Sequence, residues 1–146
     1  MTDAARPPTF AFMDRTVGLP PTASELEAMA CRTLARLPDQ FARHLGEVIL
    51  QVEDFADRAL LAQLGIDDAF GLTGVYEGLP LTERSIEHSG TMPDRIRLFR
   101  RPILDEWAER GDETLEHLVA HVVIHEIGHH FGLSDADMHA LEDMAG

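Results

Sequence analysis

Two histidines and a glutamate near the carboxyl end of the chain have the types and the spacing of a metal-dependent hydrolytic site. His125 and His129 are four residues apart, and Glu126 follows the first of them. In a helix of about 3.6 residues per turn, the two imidazoles lie one turn apart on one face and can take two corners of a zinc tetrahedron. Glu126 is better placed to hold a water molecule at the metal than to bind the metal itself. We therefore interpret it as the general base of a metal-assisted hydrolysis.

A catalytic zinc usually has three protein ligands, so the pattern requires one more. Gly132 allows the chain to turn sharply after the helix, and Asp135 follows three residues later. The complete motif is His-Glu-x-x-His-x-x-Gly-x-x-Asp, which arises by chance far less often than the short His-Glu-x-x-His. We predict Asp135 as the third ligand and keep Glu142 and His139 as alternatives.

An amphipathic helix must carry these residues. Its apolar positions recur at three- and four-residue spacing, and they are Leu115, Leu118, Val119, Val122, Ile127 and Phe131. Asp112 is the predicted cap and Gly132 the predicted end. Gly128 lets another backbone segment or a substrate come close. His121 is a candidate for orienting a ligand, although a histidine on such a helix more often only packs or faces solvent.

The remaining elements predict an α+β fold with a small mixed sheet. Periodicity and capping residues predict helices at 22–37, 39–44 and 136–143, and a helical turn at 60–64. Apolar, β-branched and alternating residues predict strands at 48–53, 71–78 and 95–100. Pro102 and Ile103 are expected to close the last strand, and Trp107 to lead into the motif helix. The sheet would then pack with the amino-terminal helix and be crossed by the motif helix.

Tyr76, the one tyrosine of the chain, is a second candidate catalytic residue. A phenol near the metal can stabilise the oxyanion of a tetrahedral intermediate. The alternative is a half-buried strand tyrosine without a chemical role, which is the more frequent case.

Taken together, these segments resemble the small bacterial zincin-like metallopeptidases, or mini-zincins, in which an aspartate is the third ligand. The likeness rests on the long motif and on four further segments, at 37–41, 48–54, 74–84 and 95–103, and extends over residues 22–142. It implies a minimal zincin domain with one zinc per chain, bound by His125, His129 and Asp135, and with Glu126 as the base. It also implies that the glycine-bracketed strand at 71–78 is an edge strand that pairs with an extended peptide.

Composition and charge restrict the class of partner. The chain has 146 residues, of which 45% are hydrophobic, and a formal net charge of −14. These values describe one globular domain and argue against nucleic acid or an anionic membrane as a partner, because phosphate binding needs clustered positive charge. Arg95, Arg97, Arg100 and Arg101 are expected to form ion pairs with the excess acid, the alternative being that they bind a substrate carboxylate.

The chain ends and the single cysteine give further expectations. Four prolines in residues 1–21 predict an extended arm before a domain at 22–146. Cys31 has no second cysteine to pair with, so neither a disulfide within the chain nor a thiolate metal cluster is expected. Without a long apolar run or a basic segment followed by an apolar one, the chain is expected to be cytoplasmic.

The function predicted from these residues is zinc-dependent hydrolysis of a peptide or protein substrate. Since aspartate is a weaker donor than a third histidine, zinc binding is expected to be modest and pH-dependent. A domain of this size offers little material for a deep cleft, so a homodimer or another protein is a candidate for completing the site. The alternative is a catalytically silent zincin scaffold that binds a peptide or protein partner along its edge strand.

Overall fold

The computed structural model describes residues 18–45, 47–78 and 93–145. Most of the predicted arm at 1–21 therefore lies outside the described residues. The elements, in chain order, are α1 (Ala23–Ala35), α2 (Asp39–Leu45), β1 (Val48–Glu53), α3 (Arg58–Leu64), a 3-10 turn (Ala69–Gly71), β2 (Gly74–Glu77), β3 (Asp94–Phe99), α4 (Arg100–Arg110), α5 (Leu115–Phe131) and α6 (Asp135–Ala145). This arrangement confirms the predicted α+β class.

The three strands form one mixed sheet in the order β1-β3-β2. β1 runs parallel to β3, with Val48 opposite Asp94, whereas β2 runs antiparallel to it, with Tyr76 opposite Ile96. Within the described part of the chain, β2 pairs with β3 alone and is an edge strand of this sheet. The mixed sheet and its glycine-led edge strand agree with the expectation from the sequence.

The core lies between the sheet and the helices α1 and α5. Ile96 and Leu98 alternate with polar neighbours along β3 and are fully buried on the face that α1 and α5 cover. α5 contributes the largest part of this core, with Leu118, Val119 and Ile127 of its predicted apolar stripe at 0% exposure. Val123, which was not in the predicted stripe, is also fully buried. Gly74 on β2 allows close packing, because a Cβ built there would lie 2.9 Å from Cγ1 of Val122. α5 is therefore fixed directly against the edge strand.

Ion pairs cover the opposite face of the sheet. Arg97 is buried and donates to Glu53 at 2.9 Å and to Glu77 at 3.0 Å, so its guanidinium joins all three strands. The hydrogen bond that Arg97 donates to Glu53 is the largest of the effects that raise the pKa of Arg97. Arg95 also pairs with Glu77, and Arg100 pairs with Asp54. These contacts confirm the predicted ion pairs for the three arginines.

Two local predictions are wrong. Pro102 does not close the last strand but lies in the first turn of α4, which begins at Arg100. Proline is tolerated there because the first N–H groups of a helix have no partner within the helix. The motif helix begins after Thr114, whose hydroxyl accepts the N–H of His117 at 3.1 Å, and not after Asp112.

The first helix follows its local signals more closely. The hydroxyl of Thr22 accepts the N–H of Glu25 at 3.2 Å, and the Glu25 carboxylate accepts the N–H of Thr22 at 2.8 Å. This reciprocal capping begins α1 where the sequence predicts it. Among the helices of the described residues, none combines the length and the apolar character needed to cross a membrane.

Candidate metal centre

One face of α5 packs on the core, and a row of histidines lies on another side of this helix. His121 and His125 are half-buried, and His129 is exposed. Their ring centroids are 4.1 Å apart for His121 and His125, and 6.1 Å apart for His125 and His129. The four-residue spacing therefore places the three imidazoles one above the other, as the helical period requires.

A sharp turn returns the chain towards this row. Gly132 has φ of 72°, in the left-handed region, and ends α5 as predicted. The N–H of Leu133 then donates to the carbonyl of Gly128 at 2.8 Å, which satisfies a carbonyl of the last helical turn. Ser134 caps the next helix by accepting the N–H of Asp137 at 3.1 Å. Asp135 consequently lies in the first turn of α6 and is exposed.

α6 crosses α5 at Gly128. A Cβ built on that glycine would lie 2.2 Å from Sδ of Met138, so a side chain at position 128 would collide with α6. Met138 and Leu141 are 2% and 3% exposed and attach α6 to the core. The group that packs closely against Gly128 is therefore the Met138 side chain of α6, not a substrate. Because Glu142 follows Met138 by one helical turn, this packing places Glu142 next to the row of histidines on α5.

Glu142 contacts two histidines of α5. Its Oε1 is 2.8 Å from Nδ1 of His121, and its Oε2 is 3.6 Å from Nε2 of His125. Its side chain is only 11% exposed. Within the described part of the chain, these three residues form the group whose possible ligand atoms all lie within 4.8 Å of one another.

The predicted third ligand is not in this group. Neither Asp135, His129 nor the exposed His139 belongs to it. The charge of Asp135 does act on His125, where it partly opposes the lowering of the pKa by burial. The binding of zinc by His125, His129 and Asp135 stays a prediction. The sequence named Glu142 as an alternative third ligand and His121 as a candidate for orienting a ligand, but their contact across two helices depends on tertiary packing.

The electrostatics suit metal binding by His125. Burial lowers the pKa of His125, and the neighbouring His121 and His129 lower it further, against the opposing charges of Glu142 and Asp135. The imidazole is therefore neutral at neutral pH, which is the form that binds a metal. Two imidazoles and a carboxylate are a ligand set that zinc uses in catalytic sites, so the residues present fit this ion.

Glu126 of α5 contacts the edge strand β2. Burial raises the pKa of its carboxylate, while the charge of His129 and a hydrogen bond from the backbone N–H of Tyr76 lower it. A half-buried carboxylate with a raised pKa has the environment of a general base. Its contact with the middle of β2 places this group beside the strand predicted to bind substrate.

The side chain of Tyr76 belongs to a separate polar cluster. Its hydroxyl donates to Oδ2 of Asp94 at 2.7 Å, and its ring stacks on that of His130 with centroids 4.1 Å apart. Nε2 of His130 is 3.7 Å from the same Asp94 oxygen, and both of these side chains are buried. Sequence reasoning missed this cluster, which joins β2, β3 and the end of α5. The catalytic role of Tyr76 stays a prediction.

Comparison with known proteins agrees with the motif. A family model described as zincin-like metallopeptidase matches residues 45–145, which is 101 of the 146 residues. The match includes the edge strand, the motif helix and all of α6. No curated protein sequence matches the chain.

Proposed function

Since this chain belongs to the zincin-like metallopeptidase family, we propose that it hydrolyses peptide bonds with the help of one zinc ion. The observation that carries the proposal is the hydrogen bond between the Tyr76 amide and the Glu126 carboxylate. It joins the candidate base of the motif helix to the edge strand of the sheet. A site of this kind can present an extended peptide to a base without a deep cleft.

The zinc would be bound by His125 and His129 of α5 and by a carboxylate of α6. The motif points to Asp135, and the side-chain positions point to Glu142. When bound, zinc supplies a Lewis acid that polarises the scissile carbonyl and lowers the pKa of a water molecule at the site.

Glu126 supplies the proton transfer. Its carboxylate accepts the proton of the attacking water and can return it to the leaving amine. Because burial raises its pKa, the carboxylate is a stronger base than an exposed glutamate. The N–H of Tyr76 holds the carboxylate in place beside β2.

β2 would bind the substrate backbone. An edge strand can pair with an extended peptide through main-chain groups on its outer side. Such pairing needs few side-chain contacts and suits cleavage of varied sequences. The net charge of −14 favours neutral or basic peptides over acidic ones.

The test is Glu126→Gln, which keeps the shape of the side chain and removes the base. Cleavage of a peptide library should fall by about 100- to 10,000-fold while zinc content is unchanged. Glu27→Gln, at an exposed position of α1, is the control and should retain full activity. Undiminished cleavage by the Glu126 variant would rule out this mechanism.

The second candidate function is a silent scaffold that binds a peptide or protein partner along β2. It is favoured by the edge position of this strand in the described sheet. The same experiment distinguishes the two functions. A scaffold would cleave no peptide, and the parent protein and the Glu126→Gln variant would bind peptides equally well.

A further inference from the structure

We infer that Asp94 and His130 are positioning residues for the general base. They hold Tyr76 of the edge strand against α5, and the main-chain N–H of Tyr76 in turn fixes the carboxylate of Glu126. This assignment rests on the role of Glu126 in the proposed function and adds the residues that support it. It gives a purpose to the buried cluster of Tyr76, Asp94 and His130.

The main-chain N–H of Tyr76 lies on the outer side of β2. The N–H of Phe99 donates to the carbonyl of Thr73 at 2.9 Å, so these two residues form a hydrogen-bonded pair of the antiparallel ladder. Hydrogen-bonded and non-hydrogen-bonded pairs alternate along such a ladder, and the pair of Tyr76 and Ile96 is therefore non-hydrogen-bonded. The N–H of Tyr76 consequently points away from β3, and it donates to the carboxylate of Glu126. The direction of this donor depends on how Tyr76 is held.

α5 contacts β2 with residues that follow one another by one helical turn. Val122 lies against Gly74, and Glu126 accepts the N–H of Tyr76. His130, one turn further, stacks on the ring of Tyr76 with centroids 4.1 Å apart and 20° between the ring planes. Glu126 and His130 therefore hold the main chain and the side chain of one residue from the same face of α5. A shift of Tyr76 along α5 would break both contacts.

Asp94 fixes the far end of the tyrosine side chain. Its Oδ2 accepts the hydrogen bond from the Tyr76 hydroxyl at 2.7 Å and lies 3.7 Å from Nε2 of His130. The side chains of Asp94 and His130 are 7% and 5% exposed, so water competes little for these contacts. A Cβ built at Gly78 would overlap the Asp94 carboxylate, which shows that this carboxylate also packs against the end of β2. Asp94, the first residue of β3, thus connects the edge strand to the last turn of α5.

The position of Glu126 matters because proton transfer needs the base within hydrogen-bond reach of the attacking water. A displacement of about 1 Å can lower a rate by about 100-fold. Removal of the Asp94 side chain takes away the acceptor of the Tyr76 hydroxyl, the neighbour of His130 and the packing against the end of β2. We therefore expect a larger effect than from removal of the hydroxyl of Tyr76 alone.

The experiment measures peptide cleavage and the amide proton resonance of Tyr76 in the full-length protein. Asp94→Ala should lower kcat by about 10- to 100-fold, with KM changed less than about threefold and zinc content unchanged. The Tyr76 amide resonance should move upfield, as in Glu126→Ala, because its hydrogen bond to a charged acceptor is weakened. Asp94→Asn should restore most of kcat, because its amide oxygen can accept the hydroxyl of Tyr76.

His130 is tested by a similar pair of variants. His130→Ala removes the stacked ring and should lower kcat by about 10-fold. His130→Phe keeps a ring that can stack on Tyr76 and should restore most of kcat. Ile103→Val is the control for a general loss of stability, because it removes a methylene from a buried residue outside the cluster. It should leave kcat and the Tyr76 resonance unchanged.

Two results would overturn the assignment. One is a folded Asp94→Ala variant with unchanged kcat and an unchanged Tyr76 resonance, and the other is an Asp94→Asn variant as impaired as Asp94→Ala. In both cases the proposed function stands if Glu126→Gln still abolishes cleavage. His130→Ala provides the same test if circular dichroism shows that Asp94→Ala does not fold.

Failure of the proposed function gives a different result. If the parent protein cleaves no peptide, the proposed function is wrong. The amide resonance, which needs neither zinc nor substrate, then decides by itself whether Asp94 positions the contact between Tyr76 and Glu126.

Discussion

Met138 occupies the space that a side chain at Gly128 would need, since Sδ of Met138 would lie only 2.2 Å from a Cβ at that glycine. This contact sets how closely α6 crosses α5. Glu142 follows Met138 by one helical turn, so the same crossing determines where its carboxylate meets His121 and His125. A glycine that the motif leaves unspecified thereby controls the geometry of the candidate metal centre.

Gly128→Ala should therefore destabilise the protein although alanine is the better helix former. Overpacking of a core costs about 1–3 kcal/mol, against a gain of about 1 kcal/mol in helix propensity. Because the Met138 side chain can partly adjust, we expect a net loss of about 1 kcal/mol, measured by urea denaturation. Zinc affinity should fall as well, because α6 moves away from the histidines.

The matched control is the same change in a Met138→Ala background. There the clash is absent, so Gly128→Ala should be neutral or stabilising. Equal effects in both backgrounds would show that the contact between the two residues is not the cause.

Arg97→Met should lower the free energy of unfolding by about 2 kcal/mol, because it leaves Glu53 and Glu77 facing each other without their shared cation. Arg95→Met is the comparison, since the Arg95 side chain is 40% exposed and its pair with Glu77 lies near the surface. That change should cost less than about 1 kcal/mol. Equal costs in chemical denaturation would contradict the role assigned to the buried guanidinium.

Tyr76→Phe separates the two interpretations of this tyrosine. The change removes the hydrogen bond to the buried Asp94 and keeps the ring that stacks on His130. We expect a loss of about 1–2 kcal/mol in stability and less than a tenfold change in kcat. A loss of kcat of about 100-fold or more in the folded variant would instead support stabilisation of the oxyanion by the phenol.

Acid should weaken the contact between α1 and α5. The hydrogen bonds from Arg32, at 2.9 and 3.0 Å, lower the pKa of Glu116 in the folded protein. The stabilisation is therefore fully present above the pKa of the unfolded chain, about 4.3, and is lost as the pH falls through the lower folded value. Glu116→Gln should cost about 0.5 kcal/mol at pH 7, because both side chains are more than a third exposed.

The difference between the parent protein and Glu116→Gln should disappear in denaturation experiments at about pH 3 and shrink in 1 M salt. Glu27→Gln, at an exposed position of α1, provides the reference. A difference that persists in acid would mean that Glu116 acts through packing and not through its charge.

Zinc should raise the melting temperature, and the rise should continue with the logarithm of the free zinc concentration once this exceeds the Kd. A ligand at 100 times its Kd adds about 2.7 kcal/mol to the free energy of unfolding. Thermal unfolding with increasing zinc should show this rise, and a chelator should reverse it. His129→Ala should remove the zinc-dependent shift if this exposed histidine is a ligand, whereas an unchanged shift would exclude it.

The ends of some helices can be predicted from the sequence, because they depend on contacts between residues that are close in the chain. Thr22 and Glu25 cap α1 through contacts only three residues apart, and Gly132 ends α5 because it adopts a positive φ at little cost. α4 was missed because a proline after a strand fits both a strand end and a first helical turn. Local sequence gives no means of choosing between them.

The sequence by itself determined that His125, Glu126 and His129 share one helix, since the 3.6-residue period fixes their relation whatever the helix packs against. It also determined that α5 stops at Gly132 and that the chain turns back. Which carboxylate of α6 stands beside His125 was decided only by the tertiary structure. That choice depends on how closely two helices cross, which is set by the packing of Met138 on Gly128 and of Leu141 in the core. Proximity in sequence to the helix end favoured Asp135, and packing brought Glu142 to the histidines instead.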